Sequence, residues 1–126
     1  ITVTQTKYTK DHELIKLEGD NIAVVGITDY AQNALGDLVF IELPKMGATF
    51  TKGTHFAVVE SVKTAAEVYT PVSGEVVAVN TALESDYDLL KSATDGWIAK
   101  FKITNQAELD GLMDDAAYQD YLKTVD

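Results

Sequence analysis

Residues 56–80, FAVVESVKTAAEVYTPVSGEVVAVN, decide the fold of this chain. Three short runs rich in β-branched residues, at 56–62, 65–70 and 75–79, are predicted to be strands. Almost nothing separates the first two strands, so they form a tight hairpin, and such hairpins project the side chain at their tip away from the sheet. Lys63 lies at this tip. The sequence therefore predicts an exposed ammonium group on a rigid support.

The residues before this stretch add two strands and a helix. Residues 22–28 (IAVVGIT) and 38–43 (LVFIEL) have the composition of strands. Between them, Thr28 can cap the start of a helix over 29–35, and Gly36 can end it. Closely spaced short strands with turn residues between them are typical of a β-sandwich or a flattened barrel.

The C-terminal quarter of the chain changes to helical patterns. Asn105 can cap a helix over 106–113, whose apolar residues share one face. Aromatic and apolar side chains recur at helical spacing over 116–125, and we expect them to pack a second helix against the sheet. No linker interrupts the 126 residues, a length that suits one domain. We therefore predict a single, mostly β domain over 1–126 with short helices.

Two similar turns suggest an internal repeat. The only prolines open Pro-x-x-Gly turns at 44–47 (PKMG) and 71–74 (PVSG), and each turn follows an apolar strand that contains a glutamate. Proline fixes φ at the start of such a turn, and glycine supplies a positive φ at its end. Lys63 lies between the two units. The repeat predicts a pseudo-twofold sandwich with Lys63 at the hairpin that joins its halves.

The composition excludes several classes of function. There is no cysteine, which excludes disulfides, thiolate catalysis and cysteine zinc sites. The two histidines, His12 and His55, lack the spacing of metal ligands, and no nucleophile–base pair has a recognisable spacing. We therefore expect no metal site and no catalytic residues. No apolar run approaches the roughly 18–20 residues of a membrane span, and the polar start does not resemble a secretory signal.

The net charge of the chain limits the classes of partner that it can bind. Twenty acidic residues against ten basic ones, all lysine, give a net charge of −10, the wrong sign for binding nucleic acid. An acidic surface suits transient docking onto electropositive proteins and keeps a diffusing protein soluble. We expect a monomer that binds proteins, with no affinity for nucleic acid or membranes.

Motifs that match one known family are spread along the chain. Gly47 lies 16 residues before Lys63, and Gly74 lies 11 residues after it, the spacing that this family shows. Together the motifs resemble the glycine cleavage system H proteins, and the resemblance covers nearly the whole chain. In family order they are HE (12–13), GITDYAQ (26–32), LGDLVFIELP (35–44), ESVK (60–63), PVSG (71–74), EVVAVN (75–80), GW (96–97) and the C-terminal helices.

For Lys63 this resemblance implies covalently attached lipoate. The fold it implies is of the lipoyl/biotinyl-carrier type, a flattened β-barrel or hybrid sandwich with short helices, some of them C-terminal. The resemblance also places Glu60, Ser61, Val62 and Gly74 in the attachment site. We expect Glu60 to be recognised by the enzyme that attaches lipoate, and Gly74 to hold a turn that a side chain would disturb.

The resemblance further implies a carrier and not an enzyme. In the family, the lipoyl arm carries the aminomethyl group of glycine between glycine decarboxylase (P protein), aminomethyltransferase (T protein) and dihydrolipoyl dehydrogenase (L protein), after lipoate-attaching enzymes have modified the lysine. The loaded arm has a protonated amine, with which carboxylates in a partly buried cleft can pair. The candidates are Glu13, Glu67 and Asp11, whereas His12 is expected to stabilise the N-terminal segment.

Related carrier domains match less well. Acyltransferase lipoyl domains usually have Asp before the lysine, where this chain has Val62. Biotin carriers center on Met-Lys-Met, which Val62-Lys63-Thr64 does not match. Lys45-Met46 lies in the first Pro-x-x-Gly turn, and we interpret it as a solvated lysine beside a packed methionine.

Two functional alternatives stay open. One is an H-like carrier that serves lipoate relay to other complexes, and the other is an unlipoylated interaction domain, against which the intact ESVK tip argues.

The chain departs from the family at Leu14, where many members have Trp, and at Tyr30 and Ala34, where some have His. These departures leave the details of arm docking open. With no targeting segment visible, we expect a cytoplasmic protein if the chain is bacterial and a mitochondrial one if it is eukaryotic.

Overall fold

The computed structural model describes residues 6–19, 21–92 and 96–125. Within them, nine strands form one six-stranded and one three-stranded antiparallel sheet. In chain order the elements are β1 Thr6–Tyr8, β2 Glu13–Glu18, β3 Ile22–Ile27, α1 Asp29–Leu35, β4 Leu38–Glu42, β5 Thr49–Phe50, β6 His55–Ser61, β7 Ala65–Tyr69, β8 Gly74–Val79, 3-10 helices Thr81–Glu84 and Tyr87–Lys91, β9 Ala99–Ile103, a 3-10 helix Gln106–Gly111, and α2 Asp115–Leu122.

The two sheets form a sandwich. The larger sheet has the strand order β1-β2-β3-β9-β8-β5, and the smaller has the order β4-β6-β7. The predicted β-sandwich with short helices is confirmed. The described strands do not close into a barrel, however, because no strand of the small sheet pairs with one of the large sheet. The hairpin of β6 and β7 therefore lies wholly within the small sheet.

Alternating side chains of both sheets build one core. Val59 of β6 and Val68 of β7 are buried on one side, and Val25, Val76 and Phe101 are buried on the other. Burying each side chain of this kind contributes about 1.5–3 kcal/mol. Since strand side chains alternate between faces, the opposite face of the small sheet is left to solvent. This face begins at the Lys63 hairpin.

The helix before β4 is the one that the sequence predicts. The Thr28 hydroxyl accepts a hydrogen bond from Ala31 N at 3.3 Å, which caps the first turn of α1. At its end, Gly36 has a φ of +79° and its N–H donates to the Gln32 carbonyl. The chain thus turns sharply out of α1 into β4, beside the Lys63 hairpin.

The C-terminal helices differ from their predicted form. The Asn105 side chain does cap a helix, but it is a 3-10 helix that ends at Gly111. Its predicted last residue, Met113, instead forms an isolated β-bridge with Tyr8, through backbone hydrogen bonds of 2.8 and 2.9 Å. The second helix starts one residue earlier than predicted, because Asp114 caps it by accepting from Ala117 N. It ends at Leu122, three residues earlier than predicted.

The two Pro-x-x-Gly turns use their glycines differently. Gly47 has a φ of +82°, as the turn pattern predicts. Gly74 is not among the described residues with positive φ. A Cβ atom on Gly74 would lie 2.3 Å from the carbonyl oxygen of Lys102. A side chain at Gly74 would therefore disturb the structure, as expected, but the reason is the close approach of β8 and β9 and not a positive φ in the turn.

No helix among the described residues is long and apolar enough to cross a membrane. The described part of the chain also contains no cluster of three or more histidine or acidic side chains that could hold a metal ion.

Candidate functional site

The Lys63 hairpin is held shut by Ser61. Its backbone N–H donates to the Thr64 carbonyl at 2.7 Å, and its hydroxyl bonds both the Thr64 carbonyl (3.1 Å) and the Thr64 N–H (3.2 Å). Ser61 is buried, whereas Val62 and Lys63 at the apex are exposed. The connection contains only Val62, Lys63 and Thr64, and it presents the lysine as the sequence predicts.

The loop between α1 and β4 supports the apex from one side. The N–H of Val62 donates to the carbonyl of Asp37 at 3.0 Å. A Cβ atom on Gly36 would lie 3.8 Å from the Cε of Lys63, so the lysine stem passes beside this glycine. Sequence reasoning missed this support, since Asp37 lies far from Lys63 along the chain. The apex is therefore anchored at both its base and its side.

The amino group of Lys63 is accessible. The side chain is exposed, and no carboxylate within residues 6–19, 21–92 and 96–125 forms an ion pair with it. A primary amine in this position can form an amide with a carboxylic acid without first breaking an internal contact. The chemistry of the site fits the covalent attachment of lipoate.

On the exposed face of the small sheet, paired residues of the three strands form rows that lie at increasing distance from Lys63. In the first row, Phe40 of β4 and Ala65 of β7 flank Glu60 of β6. In the second row, Glu42 and Glu67 flank Val58. Directly opposed residues on antiparallel strands share one face. Glu60 therefore lies half-buried just below the lysine, on the face that carries Glu67 one row further away.

Glu13 is buried at the start of β2. Only 3% of its surface is exposed, and its carboxylate accepts a hydrogen bond of 2.6 Å from the Thr9 hydroxyl. Burial raises the pKa of Glu13 to about 7, and the negative charge of Asp11 adds to the rise. Hydrogen bonds from Thr9 and from the backbone of Tyr69 oppose it. Glu13 therefore changes its charge near neutral pH.

Glu67 lies in a different environment from Glu13. It is about half-exposed, and its carboxylate pairs with His55 Nδ1 at 3.1 Å. The hydroxyl of Tyr69 donates to it at 3.4 Å. The charge of Glu67 raises the pKa of Tyr69, followed by desolvation and then by smaller effects of Asp11 and Glu13. All three predicted carboxylates are thus close enough to act on one tyrosine.

A pocket of about 200 Å³ lies beside this tyrosine. Asp11, Glu13 and Tyr69 line it, whereas Glu67 does not. Lys10 and Lys52 also line it, so an ammonium group that enters meets positive as well as negative charges. Sequence reasoning missed Thr9 and Tyr69. Tyr69 had a usable signal, because it follows Glu67 by two residues and therefore points to the same face of β7.

His12 has a structural position, as expected. Its φ of +69° is unusual for a residue with a side chain. The ring is held by a hydrogen bond of 2.8 Å between Nδ1 and the hydroxyl of Tyr118, which also bonds the hydroxyl of Thr28. Burial lowers the pKa of His12. The ring ties α2 to the turn that carries Glu13.

The three positions that depart from the family pattern lie outside the pocket of Asp11 and Glu13. Leu14 and Tyr30 line a separate groove of about 930 Å³, together with Trp97 and Tyr118. Ala34 is exposed on α1. None of the three lines the pocket of Asp11 and Glu13. These substitutions therefore leave the lining of that pocket unchanged.

The distances limit what Lys63 can reach unaided. Glu67 lies four residues beyond it, past Thr64 and into β7, so the Cα atoms of Lys63 and Glu67 are no more than about 13 Å apart. Tyr69 and its pocket lie two residues further. The amine of a lysine reaches only about 6 Å from its Cα. A group attached to Lys63 can contact the carboxylates only if it lengthens the side chain substantially.

A β-sandwich with an accessible lysine at a hairpin apex defines the class of small domains that carry a prosthetic group on a lysine. Within that class, the sequence pattern of the family described as Glycine cleavage H-protein matches residues 6–125. The chain belongs to this family, the lipoyl carriers of the glycine cleavage system. The two alternative functions that the sequence left open are not favoured.

Individual relatives agree over nearly the full length. The glycine cleavage system H protein of Xanthobacter autotrophicus is 55% identical over 98% of this chain and 99% of its own length. The protein of the same name from Beijerinckia indica is 57% identical over 95% of this chain and 98% of its own. The crystal structure of a glycine cleavage system H protein from Mycobacterium marinum superposes with a TM-score of 0.85 at 34% identity, covering 97% of this chain and 99% of that one.

Proposed function

We propose that Lys63 is the residue that carries lipoate in this chain. The observation that supports it is the apex held by Ser61, where the exposed amine has no partner among the described residues. When bound, lipoate supplies a dithiolane that accepts the aminomethyl group of glycine. The chain itself positions the arm and shelters the load, so we expect no turnover from the isolated protein.

The carboxylates around Tyr69 shelter the loaded arm in this proposal. An arm attached to Lys63 lies along the exposed face of β7 and reaches Glu67, then Asp11 and Glu13 at the pocket. The protonated amine pairs with Glu13, which is buried and therefore poorly screened. A charge-assisted hydrogen bond of this kind contributes about 1.5–3 kcal/mol. Glu67 contributes less, because it is half-exposed.

The partners in this proposal are the enzymes that act on the arm in sequence. They are glycine decarboxylase, aminomethyltransferase and dihydrolipoyl dehydrogenase, together with the enzyme that attaches lipoate. A net charge of −10 favours brief encounters with electropositive surfaces on all of them. We also propose that residues 1–126 act as one carrier domain, since both sheets share one core.

Peptide mass spectrometry after incubation with lipoate ligase, ATP and lipoate tests the attachment. We expect the lipoyl mass increase on the peptide that contains Lys63, and none on the Lys63→Arg variant. Lys45→Arg is the matched control, because Lys45 is an exposed turn lysine outside the hairpin. Label that persists on Lys63→Arg, or that is lost from Lys45→Arg, contradicts the assignment. Decarboxylation of glycine by the chain alone contradicts the carrier role.

A further inference from the structure

Three large apolar side chains are exposed together beside Lys63. Val62 is 77% exposed, Val39 is 52% exposed and Phe40 is 44% exposed. They are neighbours in space, because Leu38 and Phe40 pair with Ser61 and Glu60 of β6. We call Val39, Phe40 and Val62 the apolar patch.

A bulge accounts for the exposure of Val39. Val39 falls at the register shift between Leu38 and Phe40, a bulge in the edge strand of the small sheet. Bulges at sheet edges re-aim side chains, and here the result is an apolar side chain in solvent. Among the described residues only Met46 is a further large apolar side chain with such exposure, so the prediction that it packs is wrong. Grouped exposed apolar residues mark interaction surfaces.

We propose that the apolar patch is the surface on which the lipoate-attaching enzyme docks. This inference rests on the proposed attachment of lipoate to Lys63. In that reaction the lysine Nζ attacks the carbonyl carbon of lipoate activated by ATP as an acyl adenylate. The N–C bond forms, the bond from the acyl carbon to the phosphate oxygen breaks, AMP leaves, and the amine loses its proton to solvent.

The short reach of the unmodified lysine identifies this partner among the enzymes. Reacting atoms must approach to roughly 3–3.5 Å, and the amine lies only about 6 Å from the Cα of Lys63. The attaching enzyme must therefore cover the residues that flank the apex. The enzymes that act later meet the far end of a long arm and have no such need. The attachment of lipoate therefore requires contact with the apolar patch, whereas the later reactions do not.

The rim of the patch defines the chemistry of the partner. Asp37 adjoins Val62 through its backbone, Glu60 pairs with Phe40, and Glu42 follows on the same face of β4. An apolar center with carboxylates around it fits an apolar depression bordered by lysine or arginine side chains. The opposite charges steer the encounter, and the apolar contact holds the complex.

The test compares initial rates of lipoylation at increasing carrier concentration. The variant combines Val39→Thr, Phe40→Thr and Val62→Thr, since threonine keeps the strand preference while removing apolar surface. We expect KM for the carrier to rise roughly tenfold, with kcat nearly unchanged. Met46→Gln is the matched control, because Met46 is 63% exposed but lies in the first Pro-x-x-Gly turn. A triple variant with wild-type KM overturns the inference, as does an equal rise in the control.

A second measurement separates docking from folding and from the proposed function. The double variant Val39→Thr and Phe40→Thr, which leaves the attachment hairpin intact, is lipoylated to completion with excess ligase and given to dihydrolipoyl dehydrogenase, and we expect a KM within twofold of wild type. An equal loss with this enzyme overturns the assignment to the attaching enzyme. A single Val62→Thr variant at the exposed apex, where folding is least affected, is expected to raise the ligase KM in the same direction. Wild-type protein that fails to label removes the proposed function, whereas equal labelling of the triple variant removes only the docking surface.

Discussion

In the proposed function, the Lys63 hairpin and the Glu13 pocket serve one task under opposite physical conditions. The hairpin keeps its functional side chain in water and is held by a serine two residues away. The pocket buries its functional carboxylate, with contacts from Thr9 and Tyr69 and a lining that includes residues 111–113. If the proposal holds, the comparison shows that attachment needs an accessible amine, whereas retention needs a carboxylate that solvent does not screen. Changes in one region should leave the function of the other intact.

The largest expected effect concerns the pocket and the pH dependence of stability. The pKa of Glu13 rises from 4.5 to about 7 on folding, so the folded state holds the proton more tightly than the unfolded state. Stability is therefore full below about pH 4.5 and falls as the pH rises to 7, by about 3 kcal/mol. Glu13→Gln should lack this fall. Urea unfolding of both proteins between pH 4 and 8 measures the difference.

A companion variant sharpens this prediction. The Thr9 hydroxyl lowers the pKa of Glu13 in the folded state, so with Thr9→Val the fall in stability should begin at the same pH and continue to a higher pH. Lipoylation of Lys63 should proceed at the wild-type rate in both variants, because neither touches the hairpin. A difference between wild type and Glu13→Gln that does not change with pH would show that this carboxyl does not titrate near neutrality.

The second effect concerns retention of the loaded arm. Replacing Glu13 and Glu67 with Gln together should speed spontaneous loss of the aminomethyl group roughly tenfold, since paired carboxylates contribute about 1–3 kcal/mol. Release of ammonia from the loaded carrier measures this rate. Glu75→Gln is the control, because Glu75 is exposed on β8 and does not line the pocket of Asp11 and Glu13. Decay at the wild-type rate in the double variant would remove both residues from the docking model while leaving Lys63 untouched.

The third effect concerns the hairpin. Ser61→Ala removes both side-chain hydrogen bonds to Thr64 and should destabilise the apex by about 1 kcal/mol. The rate of lipoylation should fall a few-fold, while a fully lipoylated variant should retain its aminomethyl group as long as wild type. Ser85→Ala is a suitable control, since its hydroxyl bonds the Ala82 carbonyl in an exposed 3-10 turn. Faster loss of the aminomethyl group from Ser61→Ala would show that the two regions are not independent.

The smallest effect is expected at Glu60. It is half-buried beside Phe40, and Glu60→Gln should raise the ligase KM about two- to threefold at low salt. The effect should shrink above roughly 0.5 M salt, because ions screen a surface charge. Glu84→Gln, at an exposed position in a 3-10 helix, should have no effect on this KM. A salt-independent rise would indicate that Glu60 acts through packing and not through charge.

The sequence predicted structure well wherever neighbouring residues alone define it. Thr28 and Gly36 bracket α1 as predicted, since capping and positive φ are properties of a few adjacent residues. Strands β2 and β9 were missed, although IKLE at the end of β2 and AKFKI in β9 alternate in polarity. Their lysines and glutamates hid the pattern, but Ile15 and Phe101 are fully buried. Met113 was placed in a helix because its β-bridge to Tyr8 depends on a distant strand.

The candidate site also has one part that neighbouring residues define and one part that depends on distant contacts. The sequence by itself determined the exposed lysine at a tight hairpin, because two adjacent strands and a three-residue connection specify that geometry. Only the tertiary structure decided that Glu13 is buried with a raised pKa while Glu67 stays half-exposed beside His55. Both are glutamates in strands, and nothing in their neighbours distinguishes them. Burial and the electric field at a carboxylate depend on residues brought together by the fold, and these long-range contacts set the charge on Glu13.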